Sequence, residues 1–295
     1  MTSLAVIGGT GFYNIEGLSG LKEERVSTPF GEPSDSIYRA ELNGQKMLFL
    51  ARHGRAHTIN PTAINYRANI YALKALGARW CLGISAVGSL KEELHPGDFV
   101  VPDQFIDRTR QRPATFFDKE IVVHVGFADP FCPALSEMLY SVASVCAEEK
   151  GFNVHRGGTY LCMEGPQFST RAESNMYRQW GASIIGMTCL TEARLAREAE
   201  LPYATLAMVS DYDCWKEDAE DVDAGSVIEL LKGMNGQAKE IVKALAAKVS
   251  ECSSPDFVLK ALDSAVVSDP REARPEVFAG VKLLLERYMS ETAGS

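Results

Sequence analysis

Asp211 and Asp213 flank Tyr212 directly after the apolar run Thr205–Val209. Two carboxyls at the end of a buried run share a desolvated place, and desolvation raises a carboxyl pKa until it can act as a general acid. A solvated turn, or a helix N-cap made by Asp213, is the plainer alternative. Arg52, His53, Arg55 and His57 also follow an apolar run. A guanidinium suits bidentate binding of phosphate, although a solvated basic loop has the same composition. A metal site is disfavoured, because no Asp, Glu or Cys accompanies the two histidines.

Four further clusters are weaker alone. Gly8-Gly9-Thr10-Gly11 and Ser85-Ala86-Val87-Gly88-Ser89 follow strand-like runs. Glycine turns let backbone N–H groups approach an anion, and the Thr10 and Ser85 hydroxyls add donors; both are equally plain turns. A dinucleotide fingerprint is not met, since Asn14 stands where its third glycine belongs. Between Glu164 and Glu173, Phe168 offers a flat face for a heterocycle and Ser169 a hydroxyl beside it. Thr170 with Glu173 also reads as a capping box. Gly186-Met187-Thr188 presents an adaptable apolar side chain and a hydroxyl, or a core methionine.

The elements that must position these clusters follow from periodicity. Ser3–Ile7, Lys46–Ala51, Trp80–Ile84, Asp98–Val101, Gly158–Met163, Ser183–Gly186 and Tyr203–Val209 read as strands. Ser36–Glu41 joins Lys46–Ala51 through Asn43-Gly44, a hairpin signal. Helices are expected over Pro61–Leu76 with Thr62 as cap, Ala134–Lys150, Thr170–Trp180, Thr191–Ala199 and Val227–Val249. Phe105–Phe131 is expected to be irregular, a lid or subunit contact, and residues 256–291 mostly helical. Alternating strands and helices predict an α/β fold with a central mixed, largely parallel sheet flanked by helices. No linker or repeat interrupts the chain, so one domain is expected over residues 1–295.

Composition narrows the class. The 295 residues are 46% hydrophobic and 23% charged, which suits a globular core. A formal net charge of −9 argues against nucleic acid or an anionic membrane as partner. No apolar run approaches the roughly 20 residues of a membrane span, and the start has no leader pattern. Seven scattered cysteines include no C-x-x-C pair, so neither a disulfide framework nor zinc is expected. The expectation is a soluble cytoplasmic protein.

Read in order, the clusters resemble the methylthioadenosine phosphorylase branch of the trimeric purine nucleoside phosphorylases. The resembling segments are IGGTGFY at 7–13, TPFGEPSD at 28–35, LARHGRAHTINP at 50–61 and INYRANIYALK at 64–74. GSLKEELHPGDFVVPDQFIDRT at 88–109, EGPQFSTRAES at 164–174, GMT at 186–188 and DYDCWKE at 211–217 follow. Together they span residues 5 to about 250; the tail from about 254 matches poorly.

The resemblance implies a phosphorylase/hydrolase-like three-layer fold and phosphorolysis of S-methyl-5′-thioadenosine. Methylthioinosine, adenosine and inosine are alternative substrates. It implies phosphate contacts at Thr10, Arg52, His53, Ser85, Ala86 and Thr188. Met187 would meet the ribose, with Phe168 and Ser169 at the purine. Asp211 would protonate N7 while Asp213 supports the 6-amino group, or the reverse. His57, Val222 and Val227 would line the 5′ pocket. His124 would be lent by a neighbouring subunit of a homotrimer, or of a dimer of trimers. No cofactor is implied beyond phosphate as co-substrate. Four positions depart from the pattern the resemblance implies: Gln167 stands where many relatives carry Arg, Gly186 where Asn often stands, Ser85 replaces Thr, and Ala224 replaces a bulkier apolar residue. A hydrolytic nucleosidase would have little use for the phosphate constellation, and an oxidoreductase would need the missing fingerprint.

Overall fold

Successive residues of a strand face opposite sides of its sheet, and the first strand, β1 (Ser3–Gly8), shows what each side meets. Leu4 and Val6 pack with α2 (Pro133–Lys150) and α5 (Ala224–Lys248). Ala5 and Ile7 pack with α1 (Tyr66–Ala75), α4 (Cys189–Glu198) and α7 (Pro275–Thr292). The result is three layers with the sheet in the middle. These features come from the computed structural model, which describes residues 3–9, 12, 14–216 and 224–292.

The described residues form eleven strands. Those not yet placed are β2 (Leu18–Glu24), β3 (Ile37–Leu42), β4 (Gln45–Ala51), β5 (Trp80–Ser89), β6 (Phe99–Val101) and β7 (Gln104–Arg108). β8 (Val154–Arg156), β9 (Thr159–Met163), β10 (Ile184–Gly186) and β11 (Tyr203–Asp211) complete the set. The main path runs β2-β3-β4-β1-β5-β10-β9-β7, and β11 pairs with β5 and β6. β4, β1, β5 and β11 are mutually parallel. Registers Gly8↔Ala51, Ala207↔Ser85 and Asp211↔Gly88 bring all four of their C-terminal ends to one edge. That edge is where open α/β sheets bind ligands.

Local signals predict several elements well. Asn43 and Gly44 both have positive φ, as a two-residue hairpin turn requires. The helix α3 (Arg171–Gln179) starts with the complete Thr170–Glu173 capping box. Other boundaries differ. Helix α1 begins only at Tyr66, capped by Asn65, because the Thr62 hydroxyl bonds Glu164 at 2.8 Å instead. Ser85–Ser89, expected as a loop, continues β5, paired to β11 and β10. The Phe105–Phe131 segment opens with β7 before becoming irregular. Strands β2 and β8 are additions to the expected set. The tail holds only a short α6 (Asp256–Leu259) and a 3₁₀ turn before α7, which buries Val281, Leu284 and Leu285 in the core.

Candidate active site

A cavity of about 760 Å³ opens at the shared edge of β1, β4, β5 and β11. Its wall includes Gly9, Arg52, His53, His57, Ser85, Ala86, Thr188, Phe168, Met187, Asp211, Asp213 and Val227. Residues scattered from 9 to 235 therefore meet because the strand ends meet.

At one end, Arg52 leaves β4 and turns under the sheet. The guanidinium is buried and grips Glu192 of α4 with Nε and Nη2, the latter at 3.0 Å. Nη1 donates to the Ile84 carbonyl at 2.7 Å and Nη2 to Ile7 at 3.3 Å. Burial alone would lower the Arg52 pKa, but the Glu192 carboxylate outweighs it and holds the charge in place. The bidentate fork thus faces a carboxylate, correcting the expectation that it faces phosphate. Of the five guanidinium N–H groups, one on Nη1 is left to donate to an anion.

His53 hydrogen-bonds the Ile59 carbonyl through Nδ1 at 2.8 Å and stacks on His57, ring centres 4.5 Å apart. Burial, and then the Arg52 charge, push its pKa down to about 4. The imidazole is neutral at pH 7, with the proton on Nδ1 to satisfy that carbonyl. Ser85 Oγ donates to the Ala86 carbonyl at 3.1 Å and meets the Tyr160 hydroxyl at 3.2 Å. Thr188 is the N-cap residue of α4 with no capping bond from its side chain, so the helix presents N–H groups suited to an anion.

At the other end, β11 delivers the two aspartates. Ser210 Oγ donates to Asp211 Oδ2 at 2.6 Å, and the Asp213 N–H donates to Oδ1 at 2.7 Å. Burial raises the Asp211 pKa against these two bonds. Burial also raises that of Asp213, and the Asp211 charge adds to it. The Ser174 and Ser169 hydroxyls lie close enough to lower the Asp213 pKa, yet Oδ2 itself has no hydrogen bond among the described residues. It is a buried acceptor waiting for a donor.

Between the ends, Arg112 fastens the walls. It donates to Glu164 Oε1 at 3.0 Å, to the Glu164 carbonyl at 2.7 Å and to the Met187 carbonyl. Burial would raise the Glu164 pKa, but the N–H groups of Arg110 and Gln111, with Thr62 and Arg112, hold it at about 2. Phe168 exposes 42% of its surface toward the opening, as a stacking face needs. Helix α5 closes the far side with Val227, Ile228 and Leu231, next to Lys232 and Asn235.

Known proteins share this sequence pattern over most of its length. The family model described as the phosphorylase superfamily matches residues 3–247. S-methyl-5′-thioadenosine phosphorylase of Prochlorococcus marinus is 50% identical over 97% of this chain and 90% of its own. That of Geobacter sulfurreducens is 47% identical over 97% and 99%. The chain belongs to the S-methyl-5′-thioadenosine phosphorylase family. Among solved structures of this family, one from an antarctic soil metagenomic library superposes with TM-score 0.91 at 44% identity, covering 96% of this chain and 99% of that one. A Schistosoma mansoni methylthioadenosine phosphorylase in complex with adenine superposes with TM-score 0.79 at 33% identity, covering 97% and 98%.

Most residues the family resemblance singled out line this one cavity. Thr10 and Val222 lie outside the described residues, as does the Ala224 side chain. Ser169 is set back from the wall, its hydroxyl 3.9 Å from Met163 Sδ. His124 is exposed and away from the cavity of its own chain, its N–H bonded to the Ala265 carbonyl at 2.8 Å. Sequence reasoning missed Glu192, Tyr160, Tyr203 and Arg112. No local signal marks them, because each acts on a residue remote in the chain.

Proposed function

We propose that the protein carries out phosphorolysis of S-methyl-5′-thioadenosine, releasing adenine and 5-methylthioribose 1-phosphate for methionine and purine salvage. One observation carries the reading: a single cavity joins an end lined by N–H and hydroxyl donors to two desolvated carboxyls. A phosphate oxygen attacks C1′ as the C1′–N9 bond breaks. Positive charge grows on the ribose and negative charge on the departing base. Phosphate held by Arg52, His53, Ser85, the Ala86 amide, Thr188 and Thr10 stabilises the first, and a proton given to N7 stabilises the second.

Asp211 is the assigned acid, since burial favours its protonated form and two hydrogen bonds fix its direction. Asp213 Oδ2 takes the hydrogen bond it lacks from the 6-amino group, which favours adenine over a 6-oxopurine. Phe168 stacks on the purine with Ser169 near its edge, and Met187 lies against the ribose. Val227, Ile228 and Leu231 give the methylthio group an apolar wall, with His57 and Val222 completing it. We assign no cofactor, since the chemistry needs only phosphate and these groups. A homotrimer in the cytoplasm is the proposed state, with His124 entering a neighbour's site; its exposure away from its own cavity supports this.

The test is an initial-rate assay on methylthioadenosine, methylthioinosine, adenosine and inosine, with and without phosphate. Methylthioadenosine is expected to react fastest, and only with phosphate. Equal rates without phosphate would refute phosphorolysis.

A further inference from the structure

Two glycines beneath the phosphate end lack side chains for a visible reason. A β-carbon on Gly186 would lie 2.6 Å from Cζ of Tyr160 and nearer still to its hydroxyl. A β-carbon on Gly83 would lie 2.8 Å from Cζ of Tyr203, nearer still to its hydroxyl, and 3.1 Å from Glu192 Oε2. Each glycine makes room for a phenol from the adjoining strand: β9 beside β10, and β11 beside β5. Both phenols are buried, and burial keeps them protonated.

A buried phenol needs a partner for its O–H. Tyr203 donates to Glu192 Oε2 at 2.7 Å, and Thr205 Oγ1 donates to the Tyr203 oxygen at 3.2 Å. Tyr203 therefore sits behind the carboxylate that grips Arg52. On the other side, Ser85 uses its single proton on the Ala86 carbonyl, so Tyr160 supplies the proton of the bond they share. A hydroxyl that accepts one hydrogen bond becomes a better donor of its own. Ser85 is then ready to turn its O–H from Ala86 to an oxyanion.

We propose that Tyr160 and Tyr203 are positioning residues of the phosphate subsite, Tyr160 aiming the Ser85 hydroxyl and Tyr203 fixing Arg52 through Glu192. Neither touches the substrate. The inference rests on the assignment of this end of the cavity to phosphate. It also accounts for the absence of a side chain at Gly186, whose place the Tyr160 phenol occupies.

The test is steady-state kinetics of the full-length enzyme with methylthioadenosine and phosphate. The variants are Y160F, Y203F, S85A and Y160F/S85A. Losing one such hydrogen bond is expected to raise the phosphate KM about 2- to 10-fold in Y160F and in Y203F, with the nucleoside KM nearly unchanged. In the S85A background, Tyr160→Phe is expected to add almost nothing, because Tyr160 acts through Ser85. An unchanged phosphate KM in Y160F, or an undiminished effect of Y160F on top of S85A, would overturn the role of Tyr160. Should Y160F not fold, Y203F carries the same expectation, and an unchanged phosphate KM there overturns the proposal. Failure of phosphorolysis itself would appear separately, as a wild-type rate that ignores phosphate.

Discussion

Replacing Asp213 with asparagine alters the chemistry of a single atom. Asp213 holds φ at +50°, a conformation asparagine tolerates as well as aspartate. Oδ2 is buried with no hydrogen bond among the described residues, so an NH₂ in its place breaks no contact within the protein. The amide introduced by D213N would place that NH₂ where Oδ2 stands, facing the 6-amino group with a donor. A lost hydrogen bond to a charged acceptor is worth about 1.5–3 kcal/mol, or roughly 10- to 150-fold in kcat/KM for methylthioadenosine. A 6-oxo nucleoside would escape the loss, because the amide can donate to its oxygen. Stability moves the other way. The folded-state pKa of Asp213 is raised above its unfolded value of 3.8, so the ionised side chain opposes folding at pH 7 and the amide does not. D213N is expected to melt no lower than wild type at pH 7, with any gain vanishing below the unfolded pKa, where both states are protonated. Thermal denaturation from pH 3.5 to 8 reads the second effect, and kcat/KM for methylthioadenosine and methylthioinosine reads the first. Equal losses on both substrates, or an unchanged ratio, would refute the assigned contact.

Glu198 is buried, and burial pushes its pKa up from 4.5 to about 7. Its neutral form favours the fold, so its contribution is lost as pH rises from about 4.5 to 7, by up to about 3 kcal/mol. Glu198→Gln, which can still accept the Phe116 N–H, is expected to remove that loss in urea denaturation at pH 8. His53 acts with the opposite slope: with its pKa lowered from 6.5 to about 4, stability falls as pH drops through that window, so E198Q makes the acid sensitivity of His53 visible. Glu192→Gln leaves the Arg52 charge buried without its counter-charge and is expected to cost about 3–5 kcal/mol; a loss under about 1 kcal/mol by chemical denaturation would mean that Arg52 finds another partner.

The parts legible in the sequence are those whose cause is local. The Asn43-Gly44 turn needs positive φ at two adjacent residues, and the residue types announce it. The Thr170–Glu173 box closes within one helical turn. The alternation Leu4-Ala5-Val6-Ile7 already contains the three layers, since each parity meets a different helix set. Strand β2 escapes a reading by periodicity because its exposed, polar side chains carry no apolar period. Ser85–Ser89 reads as a loop for a related reason. Small hydroxyl residues favour turns locally, and only pairing to β10 and β11 on both sides makes them strand.

The cavity at the strand ends divides in the same way. Arg52 is recognisable as a cation after a strand, but its direction is not a property of residue 52. It is set by Glu192, 140 positions away, and by Tyr203 behind that carboxylate. A buried guanidinium without such a counter-charge would be too costly to keep desolvated, so any chain that places arginine under this sheet must also supply an acid there. That acid can come from any element reaching the same layer, and here α4 supplies it. The Arg52 end of the cavity is therefore a set of matched pairs: Arg52 with Glu192, Ser85 with Tyr160, and each tyrosine with the glycine that admits it. Motif order along the chain reveals one member of each pair. The fold supplies the other, and with it the orientation on which the chemistry depends.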